Sequence, residues 1–334
     1  MYYIEALVKT EEKNKFTIEN IEKPKLEEKE VLVKVSHCGI CGSDLHAANH
    51  DKGYEFVPKP IVLGHEISGT VIDVADKRDL DLLKNNVVIV PAKYCGECQQ
   101  CLSGEFNICN NISGVGLHFD GGMAEYIKVL PEQLVNIPSS LSLEIAALAE
   151  PLSVAMHAVK RMKGDIKGKD VLVQGCGIIG LFTAIIAENS GANVTISGLE
   201  RDEEHRLSKA KLFSIETEIV EASNKNMFHY IFECSGSSAA LETAFNRIHK
   251  GGALIMVALY KDSINIPANI MVRGEIDIIS SYSSLLVDIE DSINLLSTQE
   301  KKFKKLIDIY SLENGDLAFQ HARHQKVLKP IIRL

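Results

Sequence analysis

Short apolar strands alternate with helical segments between residues 171 and 258, and this alternation restricts the fold more than any other feature of the sequence. We predict strands at 171–174, 194–197, 230–234 and 253–258, separated by helices at 178–189, 202–213 and 239–249. Strands connected by helices in this way pair in parallel, with the helices crossing over the faces of the sheet. The sequence therefore predicts an α/β domain with a doubly wound parallel sheet.

The residues before this domain have a β-rich pattern. Strands are predicted at 31–35, 61–74 and 87–90, and apolar residues at steps of three and four from 145 to 159 predict a helix that starts near Ser142. A helix at 288–298 and the segment 304–334 are too short to fold alone, so we expect them to pack back on the first domain. The expected organisation is one domain formed by residues 1–155 and 288–334, with a second domain, residues 156–287, inserted into it.

Charge and hydropathy exclude several classes of protein. The 334 residues include 36 Lys and Arg against 45 Asp and Glu, so the net charge of −9 offers no basic field for nucleic acid or anionic lipid. The longest apolar runs are well below the roughly 20 residues of a membrane span, and the first residues lack the apolar stretch of a signal peptide. We therefore expect a cytoplasmic protein whose eight Cys residues serve metal binding or thiol chemistry rather than disulfides.

Four Cys residues form one compact motif, YCGECQQCLSGEFNIC, at Cys95, Cys98, Cys101 and Cys109. Four thiolates complete the tetrahedral coordination of zinc and leave no position open, which is typical of a structural site. An iron–sulfur cluster also needs four Cys ligands, but the spacing favours zinc. Four unrelated buried thiols are the other alternative. The motif predicts a structural zinc ion.

A second set of candidate metal ligands is dispersed over the segments HCGICGSDLH, GHE and AEPLSVAMHA. Cys41, His65 and a carboxylate would supply one sulfur, one nitrogen and one oxygen ligand, the set expected of a catalytic zinc with one open position. The alternatives are a redox pair formed by Cys38 and Cys41, and a purely structural His after Gly. Because no thioredoxin-like strand precedes the Cys pair, we prefer the catalytic zinc.

A glycine motif, GCGIIG, follows the predicted strand VLVQ and opens the helix at 178–189. Gly175, Gly177 and Gly180 permit a tight turn and the close approach of a pyrophosphate to the first turn of the helix, which contains Ile178 and Ile179. The strand, loop and helix context supports a dinucleotide-binding loop.

In this order, GICGSDLH, VLGHE, the four-Cys motif, DGGMAEYIKV, EPLSVAMHAV and GCGIIG resemble the zinc-dependent medium-chain dehydrogenase/reductase superfamily over essentially the whole chain. GHE together with EPLSV resembles the polyol (sorbitol) and butanediol dehydrogenase branch more than the liver alcohol dehydrogenases, whose third zinc ligand is a Cys. The resemblance implies a GroES-like, β-rich catalytic domain and a Rossmann NAD(P)-binding domain, with the active site in the cleft between them.

The resemblance also implies the catalytic metal ligands. Cys41 and His65 match two of them, and Glu66 and Glu150 match two carboxylates that relatives use at or beside the metal. Which glutamate binds zinc directly stays open, so Glu150 is a candidate both as a ligand and as a catalytic residue. Cys38 matches no ligand, and we expect it to be a small buried side chain.

The implied reaction is hydride transfer between NAD(P) and a secondary alcohol or ketone, a polyol or diol, with zinc as a Lewis acid. Ser43 matches the hydroxyl that hydrogen-bonds the substrate oxygen, and His46 matches a later member of the proton relay. Tyr54 and Phe56 either line the substrate pocket or pack within a loop. The alternatives are an L-threonine or polyol-phosphate dehydrogenase, or a catalytically idle zinc-binding regulatory protein. Relatives form dimers and tetramers, so we expect a homo-oligomer.

Cofactor preference depends on the end of the second strand of the Rossmann domain. NAD-specific relatives place an Asp there, about 20 residues beyond the glycine loop, where it binds the ribose diol and repels a 2′-phosphate. In VTISGLERDEEHR this position is Gly198. With Arg201 close behind it, we predict dual use or an NADP preference, unless Glu200 takes the role of the missing Asp.

Overall fold

The computed structural model describes residues 2–222 and 226–334. The chain forms two compact units, one of Met1–Pro151 with Leu285–Leu334 and the other of Leu152–Ser284. These boundaries lie a few residues before the positions 155 and 287 that the sequence pattern indicates. Within the described ranges, no helix combines the length and the apolar character that crossing a membrane requires.

The first unit consists mainly of short strands up to Pro151. They are β1 (Tyr3–Lys9), β2 (Phe16–Glu22), β3 (Val31–Gly39), β4 (Ile61–Val62), β5 (Glu66–Val74), β6 (Asn86–Ile89), β7 (Ala92–Lys93), β8 (Ser113–Gly114), β9 (Tyr126–Val129) and β10 (Leu134–Asn136). The helices of this part are α1 (Gly42–Asn49), α2 (Gln99–Leu102) and α3 (Leu143–Ala146), and α4 (Ala149–Lys160) continues into the second unit.

The second unit contains one parallel sheet. Its strands are β11 (Asp170–Gln174), β12 (Asn193–Gly198), β13 (Glu216–Ile219), β14 (Phe228–Glu233), β15 (Ile248–Met256) and β16 (Asp277–Ser280), and its helices are α5 (Ile178–Asn189), α6 (Ser208–Ala210), α7 (Ser238–Arg247) and α8 (Ala268–Gly274). The strand order is β13-β12-β11-β14-β15-β16, so the order reverses between β11 and β14. This is the order of a dinucleotide-binding Rossmann sheet. The predicted doubly wound sheet is confirmed.

The closing segment of the chain completes the first unit. It contains α9 (Leu286–Phe303), β17 (Ile307–Ser311), α10 (Gly315–Arg323) and β18 (Lys329–Arg333). Strand β18 pairs antiparallel with β3, and the resulting sheet has the order β10-β6-β5-β3-β18-β17, with β9 also paired to β3. A smaller sheet, β2-β1-β4, packs with it around a shared apolar core. The closing segment therefore belongs to the first unit.

Two predicted elements are each divided in two. The predicted strand 61–74 forms β4 and β5, which are separated at Gly64. Gly64 has a φ of +96°, and an added Cβ would lie 2.5 Å from the Cys38 Sγ, so this turn requires glycine. The predicted helix at 142–159 forms α3 and α4, because Pro151 lacks an N–H and its ring would clash with the carbonyl of Ala147 in a continuous helix.

Two predicted helices of the second unit also differ from the structure. The segment 202–213 is helical, but it consists of 3₁₀ and π turns around the short helix α6. The predicted helix 239–249 ends at Arg247, because Ile248 already pairs with Phe228 at the start of β15. The final predicted helix, 288–298, is longer than expected and spans α9.

Candidate active site and metal centres

Four thiols converge in the loop between β7 and β8. The Sγ atoms are 3.5 Å apart for Cys98 and Cys101, 3.5 Å for Cys95 and Cys109, 3.9 Å for Cys98 and Cys109, and 4.0 Å for Cys95 and Cys101. A tetrahedral zinc ion with Zn–S bonds of about 2.3 Å requires sulfur atoms roughly 3.8 Å apart. The four thiols therefore fit a zinc ion with a closed set of ligands.

Backbone N–H groups stabilise negative charge on these sulfur atoms. The N–H groups of Cys95 and Asn111 donate to the Cys109 Sγ at 3.4 and 3.3 Å. The N–H groups of Cys101 and Asn110 lower the pKa of Cys98 to about 6. Since zinc binds thiolates, a lowered thiol pKa favours metal binding near neutral pH.

A second group of ligands lies where β3 ends and β5 begins. Cys41 is the N-cap of α1, and the turn at Gly64 directs His65 and Glu66 toward it, so that the ligand atoms of these three residues lie within 4.8 Å of one another. His65 and Glu66 are buried. Among the described residues, the Glu66 Oε1 is buried without a hydrogen-bond partner. A buried carboxylate oxygen beside a thiol and an imidazole fits a divalent cation.

Asp44 organises this centre, although the sequence analysis did not single it out. Its buried carboxylate accepts hydrogen bonds from the N–H groups of Cys41 at 2.9 Å and Gly64 at 3.3 Å, and its Oδ1 lies 3.5 Å from the His65 Nδ1. Burial alone would lower the pKa of His65, but Asp44 and Cys41 raise it well above the usual range. The site therefore has a negative potential that suits a cation. An acidic residue three positions after an N-cap is the available sequence signal.

Lys329 is the second residue that the sequence analysis missed. It lies on β18, is 1% exposed, forms an ion pair with Glu66 and donates to the Ile40 carbonyl at 2.9 Å. Burial alone would lower the pKa of Lys329, but Glu66 and Cys41 raise it. The ammonium therefore offsets part of the negative charge of the ligand group.

Glu150 lies in the first turn of α4, outside the group of three whose ligand atoms are within 4.8 Å of one another. Burial raises the pKa of Glu150 to about 7, with His65 opposing this shift and Glu66 adding to it.

Cys38 is fully buried, and burial, reinforced by Asp44 and Glu66, raises its pKa well above the usual range. Cys38 is therefore a neutral buried thiol, as we expected.

Ser43 and His46 lie three residues apart on α1, so their side chains share one face of the helix. The Ser43 Oγ is 3.3 Å from the His65 Nε2, which places the hydroxyl beside the candidate ligand group. The His46 Nδ1 is 2.7 Å from the Asp51 Oδ2. The helix therefore carries a hydroxyl at the ligand group and an oriented imidazole one turn further on.

The imidazole of His46 is the first of four rings that lie in a row. Ring centroids are 5.5 Å apart for His46 and Tyr54, 6.1 Å for Tyr54 and Phe56, and 4.7 Å for Phe56 and His118. Phe56 is 49% exposed, whereas Tyr54 also packs against the core of the unit. Sequence reasoning did not include His118, which precedes the DGG motif in the loop after β8. The row forms an aromatic surface that begins at the His46 imidazole.

The glycine loop has the geometry of a dinucleotide site. Gly175 has a φ of +99°, and an added Cβ would lie 2.9 Å from the Ser235 N. An added Cβ on Gly180 would lie 1.9 Å from the Gly175 carbonyl oxygen, whereas one on Gly177 would meet no atom within 4 Å. Gly175 thus permits close packing of the glycine loop against Ser235, and Gly180 permits close packing of α5 against the Gly175 carbonyl. Gly177 leaves open space at the N terminus of α5, where Ile178 and Ile179 form the first turn.

The end of β12 has space for glycine only. An added Cβ on Gly198 would lie 2.6 Å from the Cys176 Sγ, so a carboxylate side chain at position 198 would collide with this thiol. Asp202 is turned inward, where it accepts a hydrogen bond from the Leu199 N–H at 3.1 Å. Glu200 and Arg201 are exposed beyond the strand. The sequence does not indicate that the Cys176 thiol restricts the side chain at position 198, because the two residues lie in separate loops.

Comparison with known proteins agrees with this geometry. The Alcohol dehydrogenase GroES-like domain family matches residues 27–139, and the Zinc-binding dehydrogenase family matches residues 179–298. The chain is 32% identical over 321 residues to a sorbitol dehydrogenase of Bacillus subtilis (strain 168), with 91% of this chain and 90% of the relative covered. The chain belongs to the zinc-dependent medium-chain dehydrogenase/reductase superfamily.

Other members of this superfamily place the chain in the polyol dehydrogenase-like branch. It is 31% identical over 288 residues to a D-arabitol-phosphate dehydrogenase of Enterococcus avium, with 82% of this chain and 81% of the relative covered. The crystal structure of 2R,3R-butanediol dehydrogenase from Bacillus subtilis superimposes with a TM-score of 0.89 at 26% identity, covering 99% of both chains. As a medium-chain dehydrogenase, the protein is an oxidoreductase that uses zinc and NAD(P).

Proposed function

We propose that this medium-chain dehydrogenase oxidises a secondary alcohol group of a polyol or diol and catalyses the reverse reduction of the ketone. The observation that carries the proposal is the group formed by Cys41, His65 and Glu66, which lies beside the Ser43 hydroxyl. A set of one sulfur, one nitrogen and one oxygen ligand suits a catalytic zinc with an open position for an alcohol oxygen. Similarity to the sorbitol and butanediol dehydrogenases supports this substrate class.

We assign Glu66 as the third ligand of the catalytic zinc and the four Cys residues of the β7–β8 loop as the ligands of the structural zinc. Glu66 is preferred to Glu150 because its carboxylate lies within the compact ligand group. When bound, zinc supplies Lewis-acid polarisation of the substrate oxygen and the dinucleotide accepts the hydride. Lys329 holds the Glu66 carboxylate through their ion pair.

The protein's own residues then carry the proton. Ser43 would take the proton of the substrate hydroxyl while it releases its own hydroxyl proton to the relay, since the Ser43 Oγ lies next to the ligand group. His46 is the next acceptor. The Asp51 carboxylate lies 2.7 Å from the His46 Nδ1 and can accept a hydrogen bond from it, so Nε2 is the ring nitrogen that would take the proton. Asp51 therefore acts as the positioning residue that sets the tautomer of the relay histidine.

A substrate panel tests this proposal. We expect nicotinamide reduction, followed by absorbance, with at least one of sorbitol, xylitol, arabitol and butanediol. Threonine and phosphorylated polyols are measured in parallel. A clear preference for threonine or for a phosphorylated polyol would replace the proposed substrate class. If no alcohol were oxidised by protein that retains its zinc, the proposal would be wrong and an idle regulatory protein would be favoured.

For the cofactor, we propose dual use or an NADP preference, with Gly198, Glu200 and Arg201 setting the balance. The proposal rests on the missing carboxylate at position 198 and on the exposed guanidinium of Arg201. A hydrogen bond to a charged group contributes about 1.5–3 kcal/mol. We therefore expect Arg201→Ala to lower kcat/KM for NADP by about tenfold to a hundredfold and to leave kcat/KM for NAD nearly unchanged.

The matched control for Arg201→Ala is Lys211→Ala, which removes an exposed positive charge from the end of the same helical segment. If the parent strongly prefers NAD and Arg201→Ala behaves like the control with NADP, Arg201 does not bind the phosphate and Glu200 becomes the ribose ligand. Gly198→Asp should favour NAD only together with Cys176→Ala, because the Cys176 thiol occupies the space that the new carboxylate needs.

We also propose that the protein is a homo-oligomer in a reducing compartment, the cytoplasm. Strand β16 is at the edge of its sheet, and α8 exposes Val272 (77%) and Ile270 (43%), an arrangement that a second copy of the chain could cover. The eight cysteines lie within the described residues and none of them forms a disulfide, which supports a reducing environment. Light scattering after gel filtration should give at least twice the mass of one chain, and a monomer would contradict the proposal.

A further inference from the structure

A single buried carboxylate connects the loops at one end of the parallel sheet. Glu233 is the last residue of β14 and is 0% exposed. Its carboxylate accepts hydrogen bonds from the Ser235 N–H at 2.8 Å, the Ser235 hydroxyl, the Gly236 N–H at 3.2 Å and the Tyr260 hydroxyl at 2.6 Å. The first three donors belong to the loop after β14, and Tyr260 belongs to the loop after β15. One side chain therefore holds both loops.

The backbone strengthens the same connection. The Glu233 carbonyl accepts hydrogen bonds from the N–H groups of Val257 at 3.0 Å and Ala258 at 3.1 Å. Gly236 has a φ of +68°, and an added Cβ would lie 2.9 Å from the Leu259 carbonyl oxygen, so the two loops are in close contact. The glycine loop packs on the same residues, since an added Cβ on Gly175 would lie 2.9 Å from the Ser235 N. Three loops therefore meet around Glu233.

These loops lie where half of a dinucleotide would bind. A Rossmann sheet consists of two mononucleotide-binding halves, and ligands bind beyond the carboxyl ends of the strands at the reversal of strand order. Here β11, β12 and β13 form the half with the glycine loop and the end of β12, which serve the pyrophosphate and the adenosine ribose. The ends of β14 and β15 belong to the other half, which would face the nicotinamide nucleotide.

We propose that Glu233 is a positioning residue for the nicotinamide half of the cofactor. Its hydrogen bonds hold two loop segments, Ser235–Gly236 and 257–260, against each other. We expect the nicotinamide nucleotide to bind these two segments in that arrangement. A buried carboxylate is costly unless its oxygens are fully hydrogen-bonded, and each hydrogen bond to a charged acceptor is stronger than a neutral one. Loss of the charge should therefore loosen both loops together. The proposal uses the NAD(P) dependence stated above and adds a residue that neither the glycine motif nor the metal centre identifies.

The test compares binding of the reduced dinucleotide with binding of AMP, which occupies the adenosine half alone. Dissociation constants are measured by calorimetry for the zinc-loaded parent, Glu233→Gln and Tyr260→Phe. We expect Glu233→Gln to weaken NADH or NADPH binding by at least about tenfold, the change expected on losing hydrogen bonds to a charged group, and to leave AMP binding within about twofold. Tyr260→Phe, which removes one donor, should act in the same direction with a smaller effect.

Two matched controls separate this effect from a general loss of stability. Glu242→Gln changes an exposed glutamate on α7, and Tyr230→Phe removes a hydroxyl of β14 that donates to the Lys163 carbonyl at 3.3 Å. Neither should alter the ratio of the two dissociation constants. Equal weakening of AMP and dinucleotide binding in Glu233→Gln, or a lower Tm with no change in that ratio, would overturn the proposal. Failure of the parent itself to bind reduced dinucleotide would instead contradict its use of NAD(P).

Discussion

Replacement of His65 with alanine is expected to lower kcat/KM by about a thousandfold or more and to remove one of about two zinc ions per chain. Lewis-acid stabilisation contributes several kcal/mol, and each 1.4 kcal/mol corresponds to a tenfold change in rate. His65 is a buried member of the compact ligand group, so its removal takes one of the three protein ligands from this centre. Metal analysis and steady-state kinetics on the same preparation measure both effects.

The control for this variant is His205→Ala, since His205 is an exposed histidine of the second unit. It should retain both zinc ions and full activity. The zinc ion that remains in His65→Ala should be the one bound by the four Cys residues, and its presence reports that the variant is folded. Undiminished turnover after complete removal of the catalytic metal would show that the assigned mechanism is wrong.

Replacement of Cys98 with serine is expected to affect stability rather than catalysis. The four Sγ atoms are spaced for one zinc ion, and metal binding at a site of this kind contributes directly to the free energy of folding. A loss of ~5 kcal/mol corresponds to a decrease in Tm of roughly 7 °C for a protein of this size. We expect a lower soluble yield, a lower Tm at a fixed scan rate, and a kcat of the surviving folded fraction close to that of the parent.

Cys234→Ser is the matched control, because Cys234 is a thiol outside both ligand groups. It should leave the zinc content and the Tm nearly unchanged. A Cys98→Ser variant that retained its Tm and lost only kcat would contradict the structural assignment of this metal centre.

The features that could be predicted from the sequence depend on local spacing. The parallel sheet follows from strands and helices that alternate within about 90 residues, and the turn at Gly175 and the four-Cys loop each lie within one short segment. The predicted helix at 142–159 failed for a local reason too. Apolar periodicity continues through Ala147 and Leu148, but the ring of Pro151 blocks a continuous helix at Ala147, four residues before it.

The features that could not be predicted depend on contacts between distant segments. Lys329 reaches the Ile40 carbonyl across 289 residues, and no motif around Lys329 indicates that its ammonium lies beside a metal ligand. The contact between Cys176 and Gly198 joins two loops that become neighbours only when β11 and β12 pair. In both cases the pairing of strands, rather than the residue types alone, determines what each side chain contacts.

The contact of Lys329 with Glu66 also has a consequence for synthesis on the ribosome. Translation produces the metal ligands and β3 long before β18, and the second unit, which is continuous in sequence, can complete its own sheet in the interval. During that time β3 has an unpaired edge where β18 later binds, and Glu66 lacks its ion pair with the Lys329 ammonium. Strand β18 therefore both covers an edge that favours misassembly in the nascent chain and brings a positive charge to Glu66.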